Sequence, residues 1–401
     1  MWLLVFAVYI ALLGVLDLVY NVSGLVVFGF TVVELGVFNA MWTLIYAFSI
    51  RMATHTADRG AFRANSLSSI LALIPSLILF GIALNSGIKP LLYTSYALHA
   101  VAVSCIRVSA LTSILEGYDS SVWSRANRGF LVLVLIIEGL FLTGISLTGF
   151  SNLLANYSLL AVLATLIGIL AFIVTPQPVF MIERIMYRIE KSLTRMLLPV
   201  RALLALDYYS ITIPDKLSIA TRVVSGYKVS TGLVIIALVF LRISNEYLLT
   251  PLPYYLLNHL YLSINGVILV YGLAKLLAPL LLILVPYRGA AKGYYVVTLF
   301  TRLAAAIIMY LLASTEVHAV LLLVPILFTN TLLDTLLYSL YIESTYGYKT
   351  GYYSLVNEIS GFMGSLTSGL LYIMLGVPAI LVVAVLSTLI LLALIRNAGK
   401  T

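Results

Sequence analysis

Charge is scarce in this chain. Asp, Glu, Lys and Arg make up 9% of its 401 residues, while 62% are hydrophobic. An ordinary soluble domain is about a quarter charged and roughly half apolar. Too little polar surface is present to keep a globule of this size in water. The bilayer is therefore the solvent, and the backbone must satisfy its own hydrogen bonds. Strand-like alternation is missing and the apolar runs are long, which excludes a barrel and leaves helices. Cysteine is almost absent: Cys105 stands alone, so no intrachain disulfide can form and no zinc site can rest on thiolates. The four histidines are scattered and compose no metal site. No glycine-rich phosphate loop ending in Lys-Ser or Lys-Thr occurs, so no ATP motif is present and no cofactor is implied.

What is there reads as spans. Met1-Trp2-Leu3 leads straight into an apolar run with no basic region before it, so the run is expected to be a first spanning helix rather than a removable signal peptide. About twenty apolar residues cross the hydrocarbon. Twelve such segments can be laid out: 3–27, 31–53, 65–86, 91–113, 129–149, 153–175, 230–250, 261–284, 294–313, 318–341, 351–373 and 378–396. The one long polar connection separates six from six. The expected organisation is an all-α membrane protein of two pseudo-symmetric six-helix bundles, 1–176 and 230–401, joined by a cytoplasmic linker at 177–229. Within the linker, Ile182 to Lys191 places apolar and basic residues at helical spacing. That pattern suits a helix on the inner membrane surface, or a solvated linker helix.

The cations set the orientation. Of 23 Lys and Arg residues, Lys89 lies in an opposite-side loop, and Arg107, Arg242, Lys275 and Arg302 lie within spans. The remaining eighteen fall in the connections and tail that share one side. Positive residues mark the cytoplasmic side, so both termini are expected inside a multi-pass cell-membrane protein. The net charge of +8 thus reads as topology and attraction to anionic lipid, not as a nucleic-acid footprint.

The halves repeat. Arg59-Gly60-Ala61-Phe62-Arg63 follows the second span, and Arg288-Gly289-Ala290-Ala291-Lys292 follows the eighth, at an offset of 229 residues. The same offset carries Asp17 onto Glu246. A carboxylate and a basic loop recurring together favour a duplicated six-helix unit, a common basis of secondary transporters.

At this point the chain resembles the major facilitator superfamily. That family carries, between helices 2 and 3, a glycine, three residues, Asp-Arg, one residue, Gly and two basic residues. Thr54 to Arg63 keeps the Asp58-Arg59 core and the final basic residue, but Thr54, Ala61 and Phe62 replace both glycines and the first paired basic residue. The stretches Thr31–Ala40 and Gly351–Gly369 are similar to the start of the family's helix 2 and to its helix 11. The resemblance implies that Asp58 docks near Tyr352–Asn357, where a helix end carries partial positive charge, and latches the cytoplasmic side. It also implies that Arg59 or Arg63 pairs with Glu116 or Asp119. The bland reading makes all five topogenic loop charges. Span 5 has Gly139 and Gly144 but no proline, and carries Glu138, unlike the glycine- and proline-rich helix 5 of many antiporters in the family.

Ionisable groups inside hydrocarbon cost several kcal/mol unless paired or wet, so each is a functional candidate. They are Asp17, Arg107, Glu138, Arg242, Glu246, Lys275, Arg302, Asp334 and Glu358. Arg107 and Glu138 both fall roughly 10–14 Å deep and are expected to pair, facing a cavity or merely tying helices. Arg242 and Glu246 are four apart on one helix face; they either neutralise one another or divide the work, Arg242 on substrate and Glu246 on a proton. Asp17 and Glu246 are the first candidates for coupling. Lys275, Arg302, Asp334 and Glu358 are expected to form a buried network, mobile or static. Tyr247, Tyr254 and Tyr271 are candidates for stacking on a ligand, and Gly361, Gly364, Ser368 and Gly369 for close helix packing.

The function expected is secondary active transport of a small polar or charged organic solute by alternating access, without enzyme activity, with protons the first candidate for the coupling ion and sodium left open. A lipid flippase or exporter is the alternative. A polytopic enzyme ranks lower, because Glu116, Asp119, Glu183, Glu190, Asp207 and Asp215 form no Asp-rich motif. Membrane lipid and the solute are the expected partners, with one chain as the working unit.

Overall fold

The computed structural model describes residues 2–118, 120–176, 231–284, 292–345 and 350–397. The first half holds α1 (Trp2–Val26), α2 (Val32–Asp58), α3 (Phe62–Ser86), α4 (Lys89–Gly117), α5 (Ser120–Thr148), a short α6 (Phe150–Ala155) and α7 (Tyr157–Val174). The second holds α8 (Thr231–Leu249), a short α9 (Leu252–Asn258), α10 (Ile264–Leu284), α11 (Lys292–Leu312), α12 (Glu316–Thr345), α13 (Thr350–Leu375) and α14 (Val377–Asn397). Ten of these are long and apolar enough to cross a membrane, and the shorter apolar runs Val296–Leu312 and Val377–Ala393 supply the other two crossings. Trp2 and Asn397 consequently share one face, called here the terminal face; the other is the far face.

Several helices outrun the hydrocarbon. α4 and α5 have 29 residues each and α12 has 30, where about twenty suffice. The sequence reading places residues 114–128 in a loop. In the structure α4 continues to Gly117 and α5 already starts at Ser120, so Arg125 and Arg128 lie on a helix. Hydropathy marks where the lipid ends, not where the backbone ladder stops. The 177–229 linker with its expected surface helix and the basic residue Arg288 lie outside the described residues.

Local signals fix the helix starts. Thr31 caps α2 through a capping box: the Glu34 amide donates to Thr31 Oγ1 at 3.2 Å and the Thr31 amide donates to Glu34 Oε2 at 2.8 Å. Lys89 Nζ reaches the other Glu34 oxygen at 2.6 Å, tying the start of α4 to the start of α2.

The two halves repeat as packing patterns. In the first, α1 packs on α4, α5 and α7, α2 on α4, and α3 on α4 and α7. In the second, α8 packs on α12, α13 and α14, α10 on α12, and α11 on α12 and α14. Each pair recurs six spans later. The principal contacts between halves obey the same rule, because α2 against α13 becomes α10 against α5 on the same shift.

The apolar core divides along this seam. One cluster runs through both halves, joining Tyr20, Phe38 and Phe80 to Val267, Tyr310 and Ile380 at the far face, and in the first half it extends to Phe6 and Ile114 toward the terminal face. Toward the terminal face two separate clusters remain, Ala53, Phe62 and Val108 in the first half and Leu238, Leu333 and Tyr353 in the second. Among the described residues the apolar core that joins the halves lies toward the far face, and the second half's terminal-face cluster stands apart from it.

Candidate functional site

Small residues make the far-face seal. A Cβ on Gly36 would lie 2.8 Å from the Ser365 carbonyl oxygen, and one on Gly369 would lie 2.6 Å from that of Val32. The second seam is alike, since a Cβ on Gly139 would meet the Gly272 carbonyl oxygen at 2.8 Å. Backbones this close leave no room for a side chain. Gly369 was expected to serve packing, and it does. Ser146 Oγ donates to the Asn265 carbonyl at 2.9 Å, and Asn265 Oδ1 accepts from the Phe150 amide at 2.9 Å, which ties α5 and α6 to α10.

Behind this seal lies a cavity of about 220 Å³ lined by both halves. α1, α2 and α4 contribute Asp17, Asn21, Asn39, Trp42, Thr43 and Tyr96; α8 and α10 contribute Arg242, Glu246, Tyr271 and Lys275, and Thr250 and Pro253 also line it. Four of its residues are ionisable acids or bases with formal charge, two from each sign.

Asp17 is held by neutral donors. Tyr96 Oη donates to its Oδ1 at 2.6 Å. Asn21 Nδ2 donates to the Asp17 carbonyl at 2.9 Å and to Tyr96 Oη at 3.1 Å, while Asn39 Nδ2 donates to Asn21 Oδ1 at 2.8 Å. Asn21 is one helical turn beyond Asp17, so both present the same face. Among the described residues no cation lies within ion-pair distance of Asp17.

Glu246 is held differently. Arg242 Nη2 is 2.9 Å from its Oε1, and Thr250 and Ser365 hydroxyls donate to its Oε2 at 2.8 and 2.7 Å. The Arg242 guanidinium also lies 3.8 Å from Glu358 Oε2. Asp17 is fifteen residues beyond the start of α1, and Glu246 is fifteen beyond the start of α8. The equivalent helix of each half thus carries a carboxylate to the cavity at the same height.

The other charges fall out otherwise than expected. Glu138 pairs with Lys275, across the α5–α10 seam, not with Arg107. The expected match of depth assumed a span beginning at 129. With α5 starting at Ser120, Glu138 is eighteen residues from the terminal-face end, whereas Arg107 is ten from the end of α4. At 1.5 Å per residue that separates them by about 12 Å in height. Arg107 instead stands exposed, its Cζ 6.0 Å from the Tyr46 ring centroid. Lys275, Arg302, Asp334 and Glu358 form no single network either. Lys275 joins Glu138, Glu358 joins Arg242, and exposed Asp334 accepts from Tyr353 Oη at 3.0 Å. Arg302 is wholly buried among amides and a hydroxyl. Four residues spread over four helices share no face, and spacing along a sequence does not reveal that.

Of the latch residues, the Asp58, Glu116 and Asp119 side chains lie outside the described residues. Arg59 Nη2 is 3.5 Å from His55 Nε2, and Arg63 Nε donates to the Thr175 carbonyl at 3.3 Å. Of the three tyrosines named from sequence, Tyr271 lines the cavity, Tyr247 is buried and Tyr254 packs edge-on against Tyr372. The aromatic wall that the sequence did not reveal is Trp42. Its Nε1 donates to His99 Nδ1 at 3.2 Å, and His99 Nε2 donates to the Leu13 carbonyl at 3.0 Å. A buried histidine so placed is neutral and fixes the indole. A tryptophan one turn from Asn39 was the available signal, and it reads equally as packing.

No protein-family model and no curated protein matches the sequence. Solved structures match the fold along its full length. A structure addressing substrate recognition in proton-dependent oligopeptide transporters superposes with a TM-score of 0.67 at 14% identity, covering 100% of this chain and 99% of that one. The peptide transporter POT in complex with sulfate gives 0.63 at 15% identity, over 99% and 94%. A mutant of the same transporter in complex with alafosfalin gives 0.63 at 16%, over 100% and 93%.

Proposed function

Starting from a major facilitator fold, we propose that this chain is a secondary transporter that carries a small polar or charged organic solute by alternating access, coupled to protons. The observation that carries the reading is the mixed-charge cavity on the seam between two pseudo-symmetric bundles, with a carboxylate delivered to it by the same helix of each half. Membrane carriers built from repeats bind near the midplane where the repeats meet. The polar lining favours a solute over a lipid tail. A cavity of about 220 Å³ lies below the roughly 300–1,000 Å³ of drug-sized sites, which suits an amino acid or another solute of that size. Opposite charges on opposite walls, Asp17 on one and Arg242 and Lys275 on the other, suit a zwitterion.

Each charge then has a part. Asp17, supported by Tyr96, Asn21 and Asn39 and free of a cationic partner among the described residues, takes the proton or the solute's cationic end. Arg242, shared between Glu246 and Glu358, turns toward an anionic group when Glu246 is protonated. Lys275, which lines the cavity, pairs with Glu138 and so holds the seam. With the basic loops cytoplasmic, the terminal face is the inner one and the parted cores open the cavity inward. Arg107 and Asp334, both exposed at membrane depth, stand on the walls of that vestibule, where water rather than lipid meets them.

The test begins with thermal shifts of the detergent-purified protein against amino acids, short peptides, sugars, carboxylates, nucleosides and amphipathic cations. Any solute that raises Tm is then offered to proteoliposomes with and without a proton gradient. The expected result is protein-dependent uptake that the gradient accelerates and that Glu246→Gln removes. Uptake of every such solute equal to that of protein-free liposomes contradicts the proposal.

A further inference from the structure

Arg302 stands apart from the cavity and has no exposed surface. It lies on α11 between Leu299, in the second half's terminal-face core, and Ala306 and Met309, in the core shared by both halves. Its Nε donates to Asn330 Oδ1 at 2.6 Å, and its Nη2 donates to Ser244 Oγ at 2.9 Å and Asn245 Oδ1 at 2.7 Å. All three acceptors are neutral. A guanidinium has five N–H donors, and Nη1 carries two that meet no acceptor; the Nδ2 amide of Asn330, whose Oδ1 is held by Nε, meets none either. Among the described residues no carboxylate lies within ion-pair distance of Arg302.

The equivalent junction of the first half needs no charge. There Tyr20 Oη reaches Ser76 Oγ at 2.9 Å and Ser95 Oγ at 2.5 Å, joining α1, α3 and α4 through neutral hydroxyls. In the second half, α8, α11 and α12 meet around a cation with surplus donors on two adjoining side chains. Water accepts hydrogen bonds but brings no charge. A buried cation without a counter-charge is strongly destabilising, and an orphaned buried donor adds its own desolvation cost. We infer that Arg302 Nη1 and Asn330 Nδ2 hold a monovalent inorganic anion of chloride size inside the second bundle. The ion completes the guanidinium's hydrogen bonds and cancels its charge, and so locks α8, α11 and α12 together behind the cavity wall.

The test uses the full-length purified protein, with chloride replaced by gluconate at constant ionic strength. An ion bound only by the folded state raises Tm with saturation. Wild type is expected to gain several degrees on returning chloride or bromide. Arg302→Met is expected to lose that response. Asn330→Asp places a carboxylate beside the guanidinium, so it is expected to be as stable in gluconate as wild type is in chloride, with no further gain. Should Arg302→Met fail to fold, Asn330→Asp still decides. A wild-type Tm indifferent to both halides, or a full chloride response retained in Asn330→Asp, overturns the inference and leaves the donors to water.

Discussion

Asp17 and Glu246 are two similar groups given different partners by the fold. They occupy equivalent places, yet one is met by a phenol and amides and the other by a guanidinium 2.9 Å away. Asp17→Asn keeps the shape and the hydrogen-bonding capacity but cannot gain or lose a proton. It is expected to abolish uptake driven by a proton gradient while leaving solute exchange across the membrane measurable; loss of both assigns Asp17 to solute binding alone. The Glu138–Lys275 pair makes a different prediction. Breaking a buried pair costs about 3–5 kcal/mol because a charge is left behind. With Lys275 partly exposed at 21%, Glu138→Gln is expected near the low end of that range, about 3 kcal/mol. Glu138→Gln combined with Lys275→Met is expected to recover much of the loss in thermal unfolding. Sequence named all nine membrane-embedded charges, because charge is rare in such a chain. It could not say which pair with which. Partners on different helices are set by rotation about each helix axis, and Trp42, Asn39 and Ser365 looked like ordinary packing residues.

Helices meet where side chains are missing. α2 and α13 touch at Gly36 and Gly369, and α5 and α10 at Gly139 and Gly272. Gly369→Leu is expected to force the far ends of α2 and α13 apart. In a carrier sealed at that face, this lowers coupled uptake and raises passive leak in proteoliposomes; unaltered uptake and leak would show that the contact is incidental. The helical pattern itself was legible almost throughout, since long apolar runs admit few alternatives. The ends were not. Residues 114–128 looked like a loop, yet α4 and α5 carry on through most of it, because helix hydrogen bonding persists past the lipid boundary where composition changes.

At the scale of the whole molecule, two bundles share one core that joins them at the far face, while the second bundle keeps a separate cluster toward the terminal face among the described residues. On the proposed function, that asymmetry is what one state of a rocking carrier is expected to have. Symmetry also sets a pair of charges opposite one another. Arg107 is eighteen residues beyond the start of α4, and Asp334 is eighteen beyond the start of α12. Both are exposed, and on the proposed function closure of the terminal face is expected to bring them together. Arg107→Ala or Asp334→Ala is then expected to slow transport about fivefold, in keeping with the roughly 1 kcal/mol of a part-exposed pair. Exchanging the two charges is expected to restore the rate. The six-plus-six plan was legible from the offset of 229 residues and the single long linker. How the helices pack at each end was not, because hydropathy marks the spans and not their partners.

The central claim, that the two bundles alternate about the cavity, is tested most directly by a distance. The lone cysteine makes this simple: Cys105→Ala clears the background. Spin labels are then placed by His55→Cys, at the terminal-face end of α2, and Tyr352→Cys, at that of α13. Pulsed electron resonance in lipid nanodiscs at two pH values is expected to show two distance populations. The shorter is expected to gain weight when solute binds, while a label pair at the far face shifts the opposite way. A single distance, unmoved by pH, by solute and by Asp17→Asn, would contradict the account.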